Sequence, residues 1–397
     1  MTNKMKNVPE LRFPEFIEEW EEKRLGDLYK YQQGQQIPVE NQYKIQINNM
    51  KRFIRIVDVT ENPKKRYIKD RKESGLINQK DLIMIRYGAS AGTISMGYEG
   101  VIANNLFKFV KKQNVDNRYF YFLLKKSHFK IKSLSSQSAM PALNFNAMDT
   151  LKFSIPQYSE QQKIGSFFSK LDRQIELEEQ KLAKLEEQKK GYMQKIFSQE
   201  LRFKDENGNT FEEWKNTNFN YFMSEPDNLE KGIDLRKDQL LTVKLEGNGV
   251  SKANINRALK MGSTVYYKRF AGQFIYGKQN FFNGAFGIVP KFLNNYYSSG
   301  DVPALNIDYS KIDSKYFINY ISRKDYYKKK EAFSTGTGSK RIHEKTLLDF
   351  DIMLPSVEEQ EKIGDFFSEI DNFIEKQSYK VELLKERKKG FLQKMFV

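Results

Sequence analysis

The sequence predicts an α+β fold in which two globular α/β domains alternate with two long helices, as a repeat with pseudo-two-fold symmetry. Residues 156–197 align without a gap on residues 355–396, and 21 of the 42 positions are identical. A fainter similarity links residues 10–20 to residues 200–214, and each of these segments ends in one of the only two tryptophans. An internal repeat of this kind determines the architecture before any local pattern is considered.

The repeat divides the chain of 397 residues into four segments, which agrees with a length sufficient for two or three folding units. We expect a first globular domain over 1–155, a first long helix over 156–198, a second globular domain over 199–354 and a second long helix over 355–397. The 31 Phe and 22 Tyr residues supply enough apolar surface for two cores.

Apolar residues recur in both helical segments with the 4-3 spacing of a coiled coil. The seam positions are Ile164, Phe168, Leu171, Ile175, Leu182 and Leu185 in the first helix, and Ile363, Phe367, Ile370, Ile374, Val381 and Leu384 in the second. Glu178 and Gln377 are polar exceptions at matching positions. Gly165 and Gly191, with Gly364 and Gly390, are expected to weaken each helix near its ends. Two such helices in one chain predict an intramolecular antiparallel coiled coil. The alternative is a helix that joins two chains.

Several classes of chemistry are excluded by composition. The chain has no cysteine, so disulfides, thiolate metal sites and cysteine nucleophiles are absent, and its only histidines are His128 and His343. We therefore expect no catalytic residue and no metal site. Apolar runs are too short to span a bilayer and the first 20 residues do not have the pattern of a signal peptide, so the expected location is the cytoplasm, with no membrane partner.

The formal charge of +16 is unevenly distributed along the chain. Residues 1–150 carry +10 and residues 201–350 carry +7, whereas residues 151–200 and 351–397 carry +1 and −2. A compositional bias towards Lys would have made the helices basic as well. The segregation therefore favours nucleic-acid binding by the globular domains.

Basic residues alternate with aromatic and amide residues in both globular domains, a composition suited to phosphate and base contacts. The candidates are Lys51, Arg52, Arg55, Lys64, Lys65, Arg66, Arg86 and Tyr87 in the first domain, and Lys268, Arg269, Lys278, Gln279 and Asn280 in the second. Two hydroxyl-rich loops at the 199-residue offset add Ser136, Gln137 and Ser138, and Thr335, Thr337, Ser339, Lys340 and Arg341. Solvated surface charges and ordinary turns are the alternative interpretations.

Motifs for DNA modification or cleavage are missing. No two prolines are adjacent, which excludes an Asn-Pro-Pro-aromatic methyltransferase motif, and no Gly-Lys-Ser/Thr phosphate loop is present. A nuclease starting at Pro226-Asp227 would need an acidic-x-Lys partner nearby, but the next one, Asp313-Ser314-Lys315, is too distant. A cryptic nuclease is thus the weakest alternative, and we expect a reader of DNA that is not an enzyme.

The repeated segment also carries two motifs, Pro-x-x-x-Glu-Gln-x-Lys-Ile-Gly and Lys-Lys-Gly-x-x-Gln-Lys-x-Phe. They stand at 156–165 with 189–197, and at 355–364 with 388–396. In these motifs and in its architecture the chain resembles the specificity (S) subunit of type I restriction-modification systems.

The resemblance implies that each globular domain is a target-recognition domain for one half of a bipartite site in double-stranded DNA. It also implies that the helices set the spacer and dock two modification (methyltransferase) subunits. S-adenosylmethionine chemistry would belong to those subunits, and ATP with magnesium to restriction subunits. The alternative function is a stand-alone nucleic-acid-binding scaffold that dimerises through its coiled coil.

One segment has no counterpart at the second helix. Residues 198–214 follow the first helix, and we expect residues 1–20 to fill the same role for the second helix.

Overall fold

The computed structural model describes residues 7–61, 64–69, 74–135, 141–254, 264–336 and 339–397. The chain divides into two units. Unit 1 consists of Met1–Gln180 together with Tyr379–Val397, and unit 2 consists of Lys181–Ser378. Each long helix therefore contributes one part to each unit.

Unit 1 is built from short strands and helices that precede the first long helix. Its strands are β1 (Glu21–Arg24), β2 (Tyr29–Gln33), β3 (Met50–Ile54), β4 (Arg66–Lys69), β5 (Leu76–Ile77), β6 (Ile83–Ile85), β7 (Ile94–Ser95), β8 (Gly100–Ile102), β9 (Leu106–Lys111) and β10 (Lys152–Ile155). Its helices are α1 (Leu25–Leu28), α2 (Ile56–Thr60), α3 (Asn117–Lys126), α4 (His128–Lys132), α5 (Phe145–Asp149) and the first part of α6 (Tyr158–Phe197), and a 3₁₀ turn covers Val39–Asn41.

The strands of unit 1 form two four-stranded sheets, in the orders β2-β9-β6-β7 and β4-β3-β8-β5, and a ribbon of β1 with β10. All the paired strands are antiparallel except β3 and β8, which are parallel. Side chains alternate between the faces of a strand. Accordingly, Met84 of β6 packs into the core beneath α3, while Ile83 and Ile85 pack into a second, smaller core.

Unit 2 repeats part of this plan. Its strands are β11 (Lys215–Asn218), β12 (Met223–Ser224), β13 (Leu241–Val243), β14 (Val250–Lys252), β15 (Tyr266–Arg269), β16 (Phe274–Tyr276), β17 (Phe286–Ile288), β18 (Tyr296–Ser299), β19 (Ala304–Ile307) and β20 (Asp351–Leu354). Its helices are α7 (Ser314–Ile321), α8 (Lys324–Lys329), α9 (Glu344–Leu348) and the first part of α10 (Val357–Lys394). Its 3₁₀ turns are Phe219–Tyr221, Lys237–Gln239, Phe281–Asn283, Lys291–Leu293 and Lys330–Phe333.

The sheet β12-β19-β16-β17 has the same strand order as β2-β9-β6-β7, and β11 pairs with β20 as β1 pairs with β10. The other strands differ, because β13-β14 and β15-β18 are separate two-stranded sheets. The shared sheet and ribbon are thus the common frame, and the second sheet is where the two units diverge.

An antiparallel helix pair is present in both units, which confirms the predicted intramolecular coiled coil. In unit 1, Phe168 lies 5.7 Å from Phe396 between ring centroids, and Asp172 forms an ion pair with Lys388. In unit 2, the ring of Phe197 stacks 5.8 Å from that of Phe367. The partner positions decrease in one helix as they increase in the other, which defines the antiparallel direction.

The residues of the predicted seam are all buried or half-buried. Buried seam residues are Ile164, Phe168, Ile175, Ile363, Phe367, Val381 and Leu384. Half-buried seam residues are Leu171, Leu182, Leu185, Ile370 and Ile374. Where α6 meets the globular part of unit 1, a side chain of α3 covers the seam, since Phe122 contacts Phe168 at 5.1 Å between ring centroids.

The first repeated motif attaches α3 to α6 in unit 1. Gln161 donates a side-chain hydrogen bond to the carbonyl of Pro156 (2.8 Å) and accepts one from the backbone N–H of Asp116 (3.0 Å). Asp116 in turn caps α3 by accepting from the N–H of Tyr119. A Cβ on Gly165 would lie 2.8 Å from Tyr119 N, so only glycine permits this close approach.

Unit 2 makes the same attachment with the second copy of the motif. Gln360 donates to the carbonyl of Pro355 (2.9 Å) and accepts from the N–H of Asp313, which caps α7. A Cβ on Gly364 would lie 2.5 Å from Asp313 Oδ1. The glycines therefore serve helix packing, which adds a physical role to the expectation that they weaken the helices.

Residues at the start of the chain close unit 1 against the last turns of α10. The N–H of Leu11 donates to the carbonyl of Lys394 (2.9 Å), and Arg12 forms a bidentate ion pair with the buried carboxylate of Glu160. Hydrogen bonding to Glu160 raises the pKa of Arg12.

Unit 2 repeats these contacts at Leu201 and Arg202. The N–H of Leu201 donates to the carbonyl of Lys195 (3.0 Å), and Arg202 binds Glu359 in the same bidentate geometry. The indole N–H of Trp214 also donates to Glu359 (3.0 Å). The chain start and the segment after the first helix therefore make equivalent backbone and arginine contacts, whereas the indole N–H of Trp20 is buried without the hydrogen bond that Trp214 makes.

Candidate nucleic-acid interface

A basic residue follows the central strand of the shared sheet in unit 1. Arg86 comes directly after β6, and its guanidinium lies 4.2 Å from the Phe145 ring and 4.9 Å from the Tyr87 ring. It also donates to the side-chain oxygen of Gln33, while its carbonyl accepts from the N–H of Leu143 (3.0 Å). Stacking and hydrogen bonding hold this half-buried guanidinium in one orientation, as base recognition requires.

The equivalent position in unit 2 is Lys278, which Gly277 separates from the end of β16 at Tyr276. Its carbonyl accepts from the N–H of Ile342 (2.9 Å), the same bond that Arg86 makes with Leu143. Its ammonium is paired with Glu344 at 2.8 Å and its side chain is only 15% exposed. Gln279 is half-buried and Asn280 exposed, and both follow this strand end. The two units thus present different chemistry at one shared position.

The hydroxyl-rich loops lie beside these strand ends. In unit 1 the loop is closed by a bridge between Ser135 and Leu143, and the N–H of Gly88 donates to the carbonyl of Pro141 (2.8 Å). Ser136, Gln137 and Ser138 themselves fall outside the described residues, so their predicted role stays a prediction.

In unit 2 the corresponding loop is closed by a bridge between Thr335 and Arg341. Ser339 and Lys340 are exposed, Lys340 pairs with Glu331 at 2.8 Å, and Arg341 lies 3.6 Å from Asp301. Thr337 falls outside the described residues. The structure thus places Lys278 next to Ile342, beside the Thr335–Arg341 bridge, as it places Arg86 next to Leu143 of the Ser135–Leu143 bridge.

A second basic cluster of unit 1 is organised by one buried carboxylate. Asp58 accepts from Arg52 (3.3 Å) and from the Nε of Arg55 (2.9 Å), and Arg52 also lies 5.4 Å from the ring centroid of Tyr98. Both arginines keep about a quarter of their side-chain surface exposed, at 28% and 23%. They are therefore positioned by the fold and still reach the surface.

The remaining basic candidates of the first domain form the rim of the second sheet. Lys64 and Lys65 are exposed before β4, Arg66 begins that strand half-buried, and Lys51 is half-buried on β3. Such positions suit phosphate neutralisation, which needs charge but little orientation.

The two adjacent basic residues of β15 differ in burial and in their partners. Lys268 is half-buried and pairs with Glu230 at 2.9 Å. Arg269 is 2% exposed and donates to the Ser298 hydroxyl (2.6 Å) and the Val302 carbonyl (3.0 Å). Burial lowers the pKa of Arg269 to about 10, which still leaves it charged at neutral pH. Because the guanidinium of Arg269 is buried and hydrogen-bonded inside unit 2, the structure does not support the expected contact between this residue and DNA.

One feature of unit 1 was missed by the sequence analysis. An open groove of about 920 Å³ has a lining of basic and amide side chains, namely Lys51, Arg52, Gln46, Asn78, Gln79 and Lys108, and it also includes the carboxylates of Asp81 and Glu99. Amides and lysines are suited to bases and phosphates respectively. They come from segments separated by up to 62 residues, so no local sequence pattern could have revealed the groove.

Among the described residues, no group of three or more His, Asp or Glu side chains is placed to hold a metal ion. In the same ranges, no helix combines the length and the apolarity that crossing a membrane requires.

Comparison with known proteins gives consistent matches. The profile of the family described as type I restriction modification DNA specificity domain matches residues 17–187 and again residues 209–383. The type I restriction enzyme MjaVIII specificity subunit of Methanocaldococcus jannaschii is 24% identical over 419 residues, covering 97% of this chain and 94% of the relative. The crystal structure of the type I restriction-modification system S subunit from M. genitalium has a similar fold, with a TM-score of 0.63, 14% identity, and coverage of 98% of this chain and 99% of the other.

Proposed function

The chain belongs to the type I restriction modification DNA specificity domain family, as a specificity subunit, and we propose that each of its units reads one half of a bipartite site in double-stranded DNA. The long helices set the unread spacer and dock two modification subunits. The chain itself is not catalytic. Methyl transfer from S-adenosylmethionine belongs to the modification subunits, and ATP-dependent, magnesium-dependent cleavage belongs to restriction subunits.

The observation that carries this proposal is that equivalent strands, β6 and β16, are followed by different basic residues in the two units. Arg86 and Lys278 occupy equivalent places in the equivalent sheets of the two units. The carbonyl of each accepts a hydrogen bond from one of two residues, Leu143 and Ile342, that are 199 positions apart. A preorganised arginine suits guanine, whose O6 and N7 accept two hydrogen bonds. A lysine already paired with Glu344 cannot make that contact. Recognition of two different half-sites requires different side chains at equivalent positions of the two units, and Arg86 and Lys278 meet this requirement.

The alternative of a scaffold that dimerises through its helices is less well supported. Seam residues such as Ile363, Phe367 and Val381 are at most 2% exposed within a single chain. A helix that joined two chains would instead leave its seam available to a second copy.

The test is co-expression of the chain with modification subunits, followed by genome-wide mapping of methylated sites. We expect a two-part site, and we expect Arg86→Gln to relax one base position in one half only. Loss of a bidentate arginine contact removes about 1–3 kcal/mol of discrimination at that base. Binding of the same duplex by the variant should depend on salt nearly as steeply as binding by the wild type.

The matched control is Arg173→Gln, which removes an exposed arginine (60% exposed) from α6. It should leave the methylated sequence unchanged. A single contiguous site, or methylation by the purified chain without other subunits, would contradict the proposal.

A further inference from the structure

One aromatic side chain of unit 1 is exposed at a position where the fold makes little use of it. Phe129 on α4 is 86% exposed, whereas Ile131 on the same helix is fully buried. Among the described residues, the only ring that Phe129 contacts is that of His128, at 5.9 Å between centroids. Apolar side chains stabilise a fold by their burial, so the stability of unit 1 does not account for an aromatic residue at this position.

The helix that bears Phe129 lies directly beside the position of Arg86. Arg86 begins the connection between β6 and β7, and a Cβ on Gly92, near the end of this connection, would lie 3.3 Å from Ile131 Cγ2 of α4. After α4 the chain enters the loop that ends at Leu143, whose N–H donates to the carbonyl of Arg86 (3.0 Å). Phe129 is therefore presented next to the candidate base-reading position.

The chain around Phe129 is basic without interruption. Residues 117–148 contain one arginine and four lysines, and no aspartate or glutamate. The lysines are exposed and lie within four residues of Phe129 along the chain: Lys125, Lys126, Lys130 and Lys132. In the part of the chain that the structure describes, none of them pairs with a carboxylate, and the hydrogen bonds of three go to neutral oxygens. An exposed ring flanked by these ammonium groups is complementary to a polyanion.

Unit 2 keeps the lysines and lacks the exposed ring. α8 takes the place of α4 between α7 and the hydroxyl-rich loop of unit 2, and it exposes Lys324 and Lys328. Its aromatic residues Tyr326 and Tyr327 are only 8% and 5% exposed, and Tyr326 donates to the carbonyl of Asp351 (2.8 Å). Basic charge at this place is thus common to both units, but of the two helices only α4 exposes an aromatic ring.

The chemistry of double-stranded DNA determines what such a ring can contact. A single apolar side chain at a protein surface is ordinary, but one surrounded by lysines faces a polyanion whose largest apolar surfaces are the faces of its stacked base pairs. Those faces become accessible only where a base step opens, and DNA-binding proteins open such steps by inserting apolar side chains, phenylalanine among them. Lysines on both sides of the ring can then neutralise the phosphates that flank the opened step.

We propose that Phe129 inserts between two adjacent base pairs and partly unstacks them, next to the half-site that unit 1 reads. The inference rests on the proposed function and adds to it a deformation of the DNA that belongs to one unit only. Unit 2 contacts phosphates at the equivalent place through α8 without opening a step. Recognition and deformation are separable, because Arg86 contacts the edge of a base and Phe129 contacts its face.

The experiment measures base stacking in the complex of the full-length chain with its modification subunits. 2-Aminopurine, whose fluorescence increases when it unstacks, replaces one base at a time across both half-sites and the spacer, and the bases that become methylated are left unlabelled. With the wild-type chain, fluorescence should increase several-fold at one step, in or beside one half-site only. With Phe129→Ala this increase should disappear, and affinity should fall about 5- to 150-fold, which corresponds to the loss of one base–aromatic stack. Phe129→Trp should restore both.

The matched control is Phe292→Ala, which removes a ring that is 70% exposed in unit 2 and should leave the fluorescence increase in place. All the variants should keep the melting temperature of the wild type, because the substituted rings are exposed.

Three results would overturn this inference and leave the proposed function standing. They are a wild-type complex that binds its bipartite site without unstacking any step, an unchanged signal with Phe129→Ala, and loss of modification subunits from that variant in native mass spectrometry. The last result would make Phe129 a protein contact. A wild-type complex that bound no bipartite site would instead overturn the proposed function.

Discussion

At the scale of single residues, the helix glycines have opposite environments. Gly165 lies against the capped start of α3, where a Cβ would be 2.8 Å from both Asp116 Oδ1 and Tyr119 N. Gly191 lies on the same helix in open space. The same residue type thus serves packing inside a unit in one case and leaves a bare backbone at the surface in the other.

We expect Gly165→Ala to lower the free energy of unfolding of unit 1 by about 1–3 kcal/mol, because the added methyl overpacks the contact between α6 and α3. Gly191→Ala, its control, should leave stability unchanged or raise it by up to ~1 kcal/mol through helix propensity. Urea denaturation followed by circular dichroism measures both. Equal effects of the two substitutions would contradict the assigned packing role.

At the scale of elements, the helix pair of unit 1 contains a polar seam residue. Glu178 occupies a seam position, is 6% exposed, and pairs with Lys380 at 2.8 Å. The Lys380 side chain is 51% exposed, so it stays largely hydrated while the carboxylate is buried. The desolvation free energy of a buried carboxylate exceeds the free energy that an ion pair with a half-exposed lysine contributes. A buried polar residue in the seam can nevertheless specify the register of the two helices.

We therefore expect Glu178→Leu to raise the stability of the helix pair by about 1 kcal/mol, since it removes the desolvation penalty of the buried carboxylate. The control is Glu179→Leu at an exposed position that pairs with Lys385 (3.0 Å), where no gain is expected. Differential scanning calorimetry compares the melting temperatures. A destabilised Glu178→Leu variant would mean that the ion pair is worth more than its desolvation.

At the scale of the whole molecule, the two units differ in how the chain assembles them. Unit 2 is one continuous segment, whereas unit 1 combines the start of the chain with residues 379–397. That last segment contributes Val381, Leu384, Met395 and Phe396 as buried residues, each at most 8% exposed. Unit 1 therefore depends on contacts of very long sequence separation, which are costly in loop-closure entropy.

A chain truncated after Ser378 should lose the stability of unit 1 and keep that of unit 2. Removal of Phe396 uncovers Phe168 and Tyr119, which it contacts at ring-centroid distances of 5.7 and 5.3 Å. Hydrogen exchange with mass spectrometry should show lost protection in α3 and retained protection in α7. Equal loss in both helices would refute the independence of the units.

Much of the fold could be predicted from the sequence because its signals are local or repeated. Heptad spacing identified the helices, and the constant 199-residue offset identified the equivalent loops. The candidate interface was only partly predictable. Arg86 and Lys278 could be proposed, but the pairing of Lys278 with Glu344 joins residues 66 positions apart and leaves no pattern in the sequence.

By itself, the sequence determined the internal repeat, the heptad spacing of the two long helices and the concentration of positive charge in the globular segments, since periodicity and composition are properties of the chain. Only the tertiary structure decided that Arg269 is buried, that Glu160 and Glu359 each require an arginine, and that unit 1 joins both ends of the chain. The physical reason is that burial and pairing depend on which distant segments meet. The local spacing of residue types does not specify these contacts between distant segments, which are established only when the chain packs.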